Sequence, residues 1–461
     1  MRRFDLVVLG RVVEPGRVIE EGAVGVKDGV IAAIGQGRNV FEASEVLDFG
    51  GCLIVPGGID AHVHPLSDTR EGYLHTTRAA VAGGITAIID QPLDRGGPPV
   101  GSEGLLNKKK LIEEDSLIDV ALLGAVTPDL MDKIEDCAQV DMVGFKMLMQ
   151  NTSPDMPLMK DGDLLEAFTR IAPTGLFAGV HAENDDIIKH NIERLRKEGK
   201  NYHGAHSESR PPVSETEAVA RACEFAIATR CRLHVFHVSL SRCFEIIERA
   251  RREFACISAE TAPHYLVLSE DELDRIGSLA KINPPLRSKD ERLALWDQVR
   301  RGNVSFIASD HAPLPFDRKS ESIWESESGA PGVETMMPLI FDEGVSKGKI
   351  GVEQFSELLS TNVAKVMGLY PRKGLIAPGS DADLAVIDPQ AKWTICASDL
   401  HQQVGWTPYE GRSVTGRVVA TIAGGKVVYK DNEILGHPGD GRFIAAQRLN
   451  KGSDRARFGY R

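Results

Sequence analysis

Hydrophobic positions along this chain follow two grammars. At both ends short apolar strands are punctuated by Gly turns. Phe4 to Val13 reads as a strand, and Ala23 to Ile31 as a hairpin turning at Asp28-Gly29, a strong two-residue turn signal. At the other end Asp383–Ile387 and Val418–Ile422 read as strands, and Gly424-Gly425 turns into Lys426–Tyr429. Two β-rich ends around a long middle predict one small β-sandwich built from both termini. The tail after Gly436 is rich in Gly, Arg and Lys, and is expected to extend over a neighbouring surface.

The middle, about 53–369, has a different rhythm. Continuous apolar runs at 53–59, 86–89, 120–123, 142–145, 176–180, 233–236, 255–258 and 304–308 alternate with amphipathic stretches such as Glu215–Thr229 and Ser241–Phe254. Unbroken apolar runs suit strands buried on both faces of a parallel sheet. Eight of them alternating with helices predict an α/β fold, a (β/α)₈ TIM barrel. The predicted organisation is 1–52 for the N-terminal part of the sandwich, 53–369 for the barrel, and 370–461 for the rest of the sandwich plus the tail.

Charge narrows the partners. A net charge of −12 disfavours nucleic acid and anionic membrane surfaces. No apolar stretch reaches the length of a membrane span, and the N-terminal run is too short for a signal peptide. Seven scattered Cys without C-x-x-C spacing read as buried thiols of a cytoplasmic protein, not a disulfide framework.

Candidate chemistry is concentrated at the ends of the apolar runs. Leu53 to His64 reads L-I-V-P-G-G-I-D-A-H-V-H, and His62 and His64 share one face of an extended segment. Further runs end at Lys146, His181, His237 and Asp310. In a barrel these are the C-terminal strand ends, where active sites lie. Histidines and a carboxylate there suit a divalent metal. Lys146 sits among apolar neighbours, which lowers an amine pKa by desolvation. An ammonium would repel a metal, whereas the same amine carboxylated by carbon dioxide is an anionic bridging ligand.

The motifs H-V-H, G-F-K, V-H-A-E-N, L-H-V-F-H-V-S, A-E-T-A-P-H-Y-L, K-I-N-P-P-L-R, A-S-D-H-A-P, G-A-P-G-V-E-T and G-S-D-A-D-L-A-V-I-D resemble, in order, those of the cyclic amidohydrolases. That family includes hydantoinases, dihydropyrimidinases, allantoinases and dihydroorotases, and the likeness covers essentially the whole chain. The resemblance implies two divalent metal ions, commonly zinc. It places His62, His64 and Asp310 on one ion and His181 and His237 on the other, with carboxylated Lys146 as the bridge. It further implies a shared hydroxide that attacks the ring carbonyl, with Asp310 carrying the proton to the leaving nitrogen. Asn283 and Gly329 match positions that present backbone groups to the substrate amide. His264 and His311 are expected to support the site or local structure, His234 to pack away from it, and Glu183 to hold His181 or close a loop. The methionines at 147, 149, 156 and 159 are expected to be pocket wall or core. A homo-oligomer, dimer or tetramer, acting on a small cyclic amide is the expected working form.

The ring class is read from departures. Dihydroorotases carry an Arg two residues after the second His; here Pro65 and Leu66 follow His64. Dihydropyrimidinase-like members place a Tyr five residues after the bridging Lys; here it is Asn151. The stretch R-E-G-Y-L-H-T-T-R-A-A-V-A-G-G-I-T, with Gln91-Pro92-Leu93, is most similar to allantoinases and L-type hydantoinases, although loop 65–72 is shorter than in allantoinases. The expected substrate is therefore a five-membered hydantoin-type ring. The alternatives are a six-membered ring of dihydroorotase or dihydropyrimidinase type, or a scaffold homologue without activity.

Overall fold

The computed structural model describes residues 3–447 apart from Thr69, Thr152 and Pro154. The start of the chain forms strands β1 (Phe4–Glu14), β2 (Arg17–Lys27), β3 (Val30–Gln36) and β4 (Ala43–Pro56). The middle supplies β5 (Gly58–Val63), β6 (Ile85–Asp90), β7 (Asp119–Ala125) and β8 (Gly144–Leu148). It continues with β9 (Phe177–His181), β10 (Arg232–Val235), β11 (Ile257–Thr261) and β12 (Phe306–Ile307). The end of the chain adds β13 (Leu384–Thr394), β14 (Ser413–Ala423), β15 (Lys426–Lys430) and β16 (Glu433–Ile434).

Both termini build one sheet in the order β16-β15-β14-β13-β4-β1-β2-β3, joined where β13 runs antiparallel to β4. Asp28 and Gly29 take positive φ, 53° and 78°, as a two-residue turn matched to strand twist requires. The sheet curls until this turn meets the one at Gly424-Gly425, with β-carbon space at Gly29 only 3.0 Å from the Gly424 carbonyl. Leu6, Val8, Val24, Val26, Leu384 and Val386 consequently share one buried cluster between the two halves of the curl.

Strands β5 to β12 lie side by side in chain order, each parallel to the next. The ring closes where the His311 N–H donates to the His62 carbonyl (3.0 Å) and the His64 N–H to the His311 carbonyl (2.8 Å). This is the (β/α)₈ barrel that the apolar runs predict, and helices such as Pro212–Thr229 and Ser241–Glu253 fill the expected stretches.

Run 53–59, however, is two strands. Leu53–Val55 pair with β13 in the terminal sheet, and the barrel begins only at Gly58. Both segments are buried on both faces, so an apolar run carries no mark of the change of sheet. Strands β8, β11 and β12 start two residues later than their runs, at Gly144, Ile257 and Phe306.

The tail covers the chain's own barrel. The Ile444 N–H donates to the Val120 carbonyl at 2.9 Å. Its side chain joins Ile59, Ala87, Leu123 and Phe177 in the barrel interior. Residues 448–461 lie outside the described residues. Among the described residues, no helix is long and apolar enough to cross a membrane.

Candidate metal centre

Strand parity aims most of the site. In the parallel ladder Lys146 pairs with Gly179, Leu148 with His181, Gly179 with His234 and His234 with Ser258. Paired residues share a face, so Lys146, His181, His234 and Glu260 all look into the barrel. On β5 the ladder carries one extra residue, with Asp60 opposite Ile88 and Val63 opposite Asp90. This bulge shifts the parity, so that Ile59 and Ala61 fill the interior below while His62 and His64 face it above. His237 and Asp310 stand past their strand ends with φ of 36° and 52°. Side chains rarely occupy that region, and held there both residues turn back over the barrel mouth.

The donor atoms converge. His62 Nε2 lies 3.2 Å and His64 Nε2 3.6 Å from Asp310 Oδ1, and suitable atoms of these three all fall within 4.8 Å of one another. His181 Nδ1 and His237 Nε2 are 3.0 Å apart, and Lys146 Nζ is 3.1 Å from His62 Nε2. Four ligands about 2.0–2.1 Å from a tetrahedral zinc ion stand roughly 3.3–3.4 Å from each other. The observed spacings bracket that value, so the residues present fit a divalent cation.

Carboxylates behind the imidazoles set which nitrogen is free. Glu183 accepts from His181 Nε2 at 2.8 Å and from Arg210 Nη1 at 2.5 Å. Burial works to raise its pKa, but Arg210 and His181 overcome this and hold it at about 2. An ionised Glu183 leaves His181 Nδ1 as the lone pair facing the site. Glu260 stands in the same place behind His62, whose Nδ1 is 2.5 Å away, and also bonds His234 Nε2 at 3.1 Å. Burial pushes the Glu260 carboxyl up while Lys146 pulls it down, and a bound cation would add to that pull.

Burial shifts the remaining groups towards their neutral forms. His62 is held well below the usual imidazole range by burial and then by Lys146, and His237 by burial and then by His181. Burial brings the Lys146 amine down to about 8 although Asp310 and Glu260 oppose it. Its Nζ lies 3.9 Å above the Phe236 ring. Neutral imidazoles and an amine that is partly neutral near pH 8 are the forms that ligate metal and react with carbon dioxide.

Above this floor lies a cavity of about 380 Å³ that includes all six candidate ligands, together with Asn283, Gly329 and Asn151. The Gly329 N–H donates to the Lys281 carbonyl at 2.9 Å, which leaves its own carbonyl as the group to present. The methionines at 147, 149, 156 and 159 are core. His311 serves local structure, its Nδ1 accepting from the Gly332 N–H at 3.0 Å. His264 is buried beside Tyr265, their ring centres 4.1 Å apart. His234, expected to point away, lies inside the barrel and is linked through Glu260 to His62. Strand alternation would set His234 opposite to His237, but β10 ends at Val235 and His237 lies beyond it. Glu260 carried no role in the sequence reading; its signal was a charged residue inside the otherwise uncharged strand Ile257–Thr261.

Comparison with known proteins agrees with this geometry. Residues 53–428 match the model of the Amidohydrolase family. The chain is 38% identical over 457 residues to an allantoinase of Rubrobacter xylanophilus, covering 97% of this chain and 99% of that one. It is 35% identical to an L-hydantoinase of Paenarthrobacter aurescens, covering 96% and 98%. The solved L-hydantoinase of Arthrobacter aurescens superposes with a TM-score of 0.93 at 33% identity, covering 96% of this chain and all of that one. With its strand-end donor set, barrel and full-length relatives, the chain belongs to the amidohydrolase family.

Proposed function

We propose that this cyclic amidohydrolase opens the five-membered ring of allantoin or of a 5-substituted hydantoin, giving the N-carbamoyl acid. The observation that carries the reading is the convergence of His62, His64, Lys146, His181, His237 and Asp310 on the floor of one pocket. Full-length likeness to an allantoinase and an L-hydantoinase supports the ring class. Pro65-Leu66 after His64 and Asn151 after Lys146 argue against dihydroorotate and six-membered rings.

We assign His62, His64 and Asp310 to one divalent ion, His181 and His237 to a second, and carboxylated Lys146 between them. Imidazole and carboxylate donors suit zinc. Bound there, such ions supply a water acidified towards neutral pH and a Lewis acid for the ring carbonyl. The chain's own groups complete the reaction. Asp310 accepts the proton of the attacking water and returns it to the ring nitrogen as the C–N bond breaks. Asn283 and the Gly329 carbonyl orient the imide edge. Glu183 and Glu260 keep the imidazole lone pairs turned towards the pocket. The seven free thiols suit a cytoplasmic setting, and we propose a working form of two or four copies.

Initial rates on allantoin, 5-substituted hydantoins, dihydrouracil and dihydroorotate test the ring. We expect kcat/KM for a five-membered ring at least about tenfold above dihydroorotate, roughly 1.4 kcal/mol in transition-state binding. Dihydroorotate as the best substrate overturns the ring class. Metal analysis tests the centre: about two ions per chain, mostly lost with activity in Lys146→Ala and partly regained with short-chain carboxylic acids. A chain with neither metal nor turnover would be a scaffold.

A further inference from the structure

The loop after β6 is clamped in a way that the ring chemistry does not require. Asp90 ends β6, Asp94 lies in the loop, and Lys108 reaches both from the helix Gly101–Asp115 behind them. Its Nζ is 2.8 Å from Asp90 Oδ2 and 2.8 Å from Asp94 Oδ1. The lysine is 4% exposed, and the Tyr73 hydroxyl also donates to Asp90. From the other side, the Gln91 N–H donates to the Val63 carbonyl at 2.9 Å and the Arg95 N–H to the Leu66 carbonyl at 2.8 Å. Held from both sides, the loop contributes Leu93 and Arg95 to the lining of the pocket.

The remaining cations of that lining are engaged elsewhere. Arg210 is on Glu183 at 2.5 Å, Arg318 is on Glu327 and Asp68, and the Lys281 amine donates to the Ser326 carbonyl at 2.5 Å. Lys146 belongs to the floor. Among the described residues, the Arg95 guanidinium has neither a carboxylate nor a carbonyl partner, and it is exposed at the pocket mouth.

We infer that Arg95, positioned by the Asp90–Lys108–Asp94 triad, selects the ring substituent, favouring arms that carry a hydrogen-bond-accepting oxygen over alkyl arms. The inference rests on the ring-opening reading. A guanidinium presents a planar fork of N–H donors that suits a carboxylate or a ureido carbonyl and gains nothing from an alkyl chain. Lys108 acts through Arg95 and is a positioning residue. Without its charge, Asp90 keeps only its bond from Tyr73, Asp94 loses its cation, and the uncompensated carboxylates displace the loop.

Kinetics on three substrates test this: allantoin with its ureido arm, 5-(2-carboxyethyl)hydantoin, and 5-isobutylhydantoin. For the wild type, Arg95→Met and Lys108→Met, the measured quantity is the kcat/KM of each oxygen-bearing substrate divided by that of the isobutyl compound. We expect Arg95→Met to lower this ratio by about tenfold or more, mainly through KM, and Lys108→Met to lower it in the same direction. A drop confined to allantoin identifies the ureido carbonyl as the group read, and one confined to the carboxyethyl compound identifies a carboxylate. An unchanged ratio in Arg95→Met, or the same loss on all three substrates, overturns the inference. Arg95 is exposed, so its variant carries the test even if Lys108→Met fails to fold. A wild type inert on all three removes the ring-opening reading and this inference with it, whereas turnover with an unchanged ratio removes this inference alone.

Discussion

Asp310 combines two demands, a charge at the pocket floor and a backbone at φ 52°. Asp and Asn both tolerate that left-handed region, because their short side chains bond locally. Asp310→Asn therefore leaves the backbone undisturbed, keeps an amide oxygen where the proposed metal ligand stands, and removes the base. We expect kcat to fall about 10²–10⁴-fold with the thermal midpoint nearly unchanged. An unchanged kcat with metal still bound would take Asp310 out of proton transfer. Single residues were the most legible feature of this chain, because metal-type side chains at the ends of apolar runs announce themselves. What stayed hidden is what depends on partners distant in sequence. Glu260 acquires its meaning only when β11 brings it within 2.5 Å of His62, 198 residues away. Arg95 acquires its own only once Lys108 is seen to hold the loop that bears it.

At the scale of elements, periodicity showed which segments are strands but not which sheet claims them, as the division of run 53–59 demonstrates. The bulge in β5 was invisible for a similar reason: an extra residue leaves no trace in an apolar run until the neighbouring strand provides a register. Contacts between barrel and terminal sheet are specific too. Phe341 packs on β14 at Gly416, where φ is 99° and an added β-carbon would lie 2.2 Å from the ring. Two residues on, Glu343 binds Lys347 (2.7 Å), Lys349 (2.9 Å) and Arg412 (2.8 Å), the last of them leading into β14. Burial raises the Glu343 pKa, but Lys347 and Lys349 outweigh it and hold the carboxyl at about 2, against 4.5 for a free Glu. A folded pKa below the unfolded one gives stability that is present above about pH 4.5 and lost as pH falls towards 2. Glu343→Gln should therefore melt below the wild type near neutral pH, and the gap should close as pH falls through 4.5 towards 3. Calorimetry across that range checks it; a gap independent of pH would mean the cluster contributes no ionic stability.

At the scale of the molecule, the candidate ligands come from the ends of five barrel strands, so whatever binds them braces the whole mouth. The terminal sheet is tied to the opposite end of the barrel by Lys373. Its amine contacts Asp119 of β7 at 2.9 Å, and Asp381 and Asp383 beside β13 at 3.1 Å and 2.5 Å. Burial works against the charge, but the three carboxylates raise its pKa above the ordinary lysine value. Breaking that contact would leave unpaired charges in a buried junction, at a cost of about 3–5 kcal/mol. Barrel and sheet should therefore unfold together. A ligand present at about a thousand times its dissociation constant stabilises the folded state by about 4 kcal/mol. Removing metal with a chelator should then lower one shared melting transition by several degrees and abolish turnover, and added zinc should restore both. Two separate transitions, only one of them responding to zinc, would show that the Lys373 junction does not couple the two parts. No response of either melting or turnover would leave the strand-end cluster without a metal to hold.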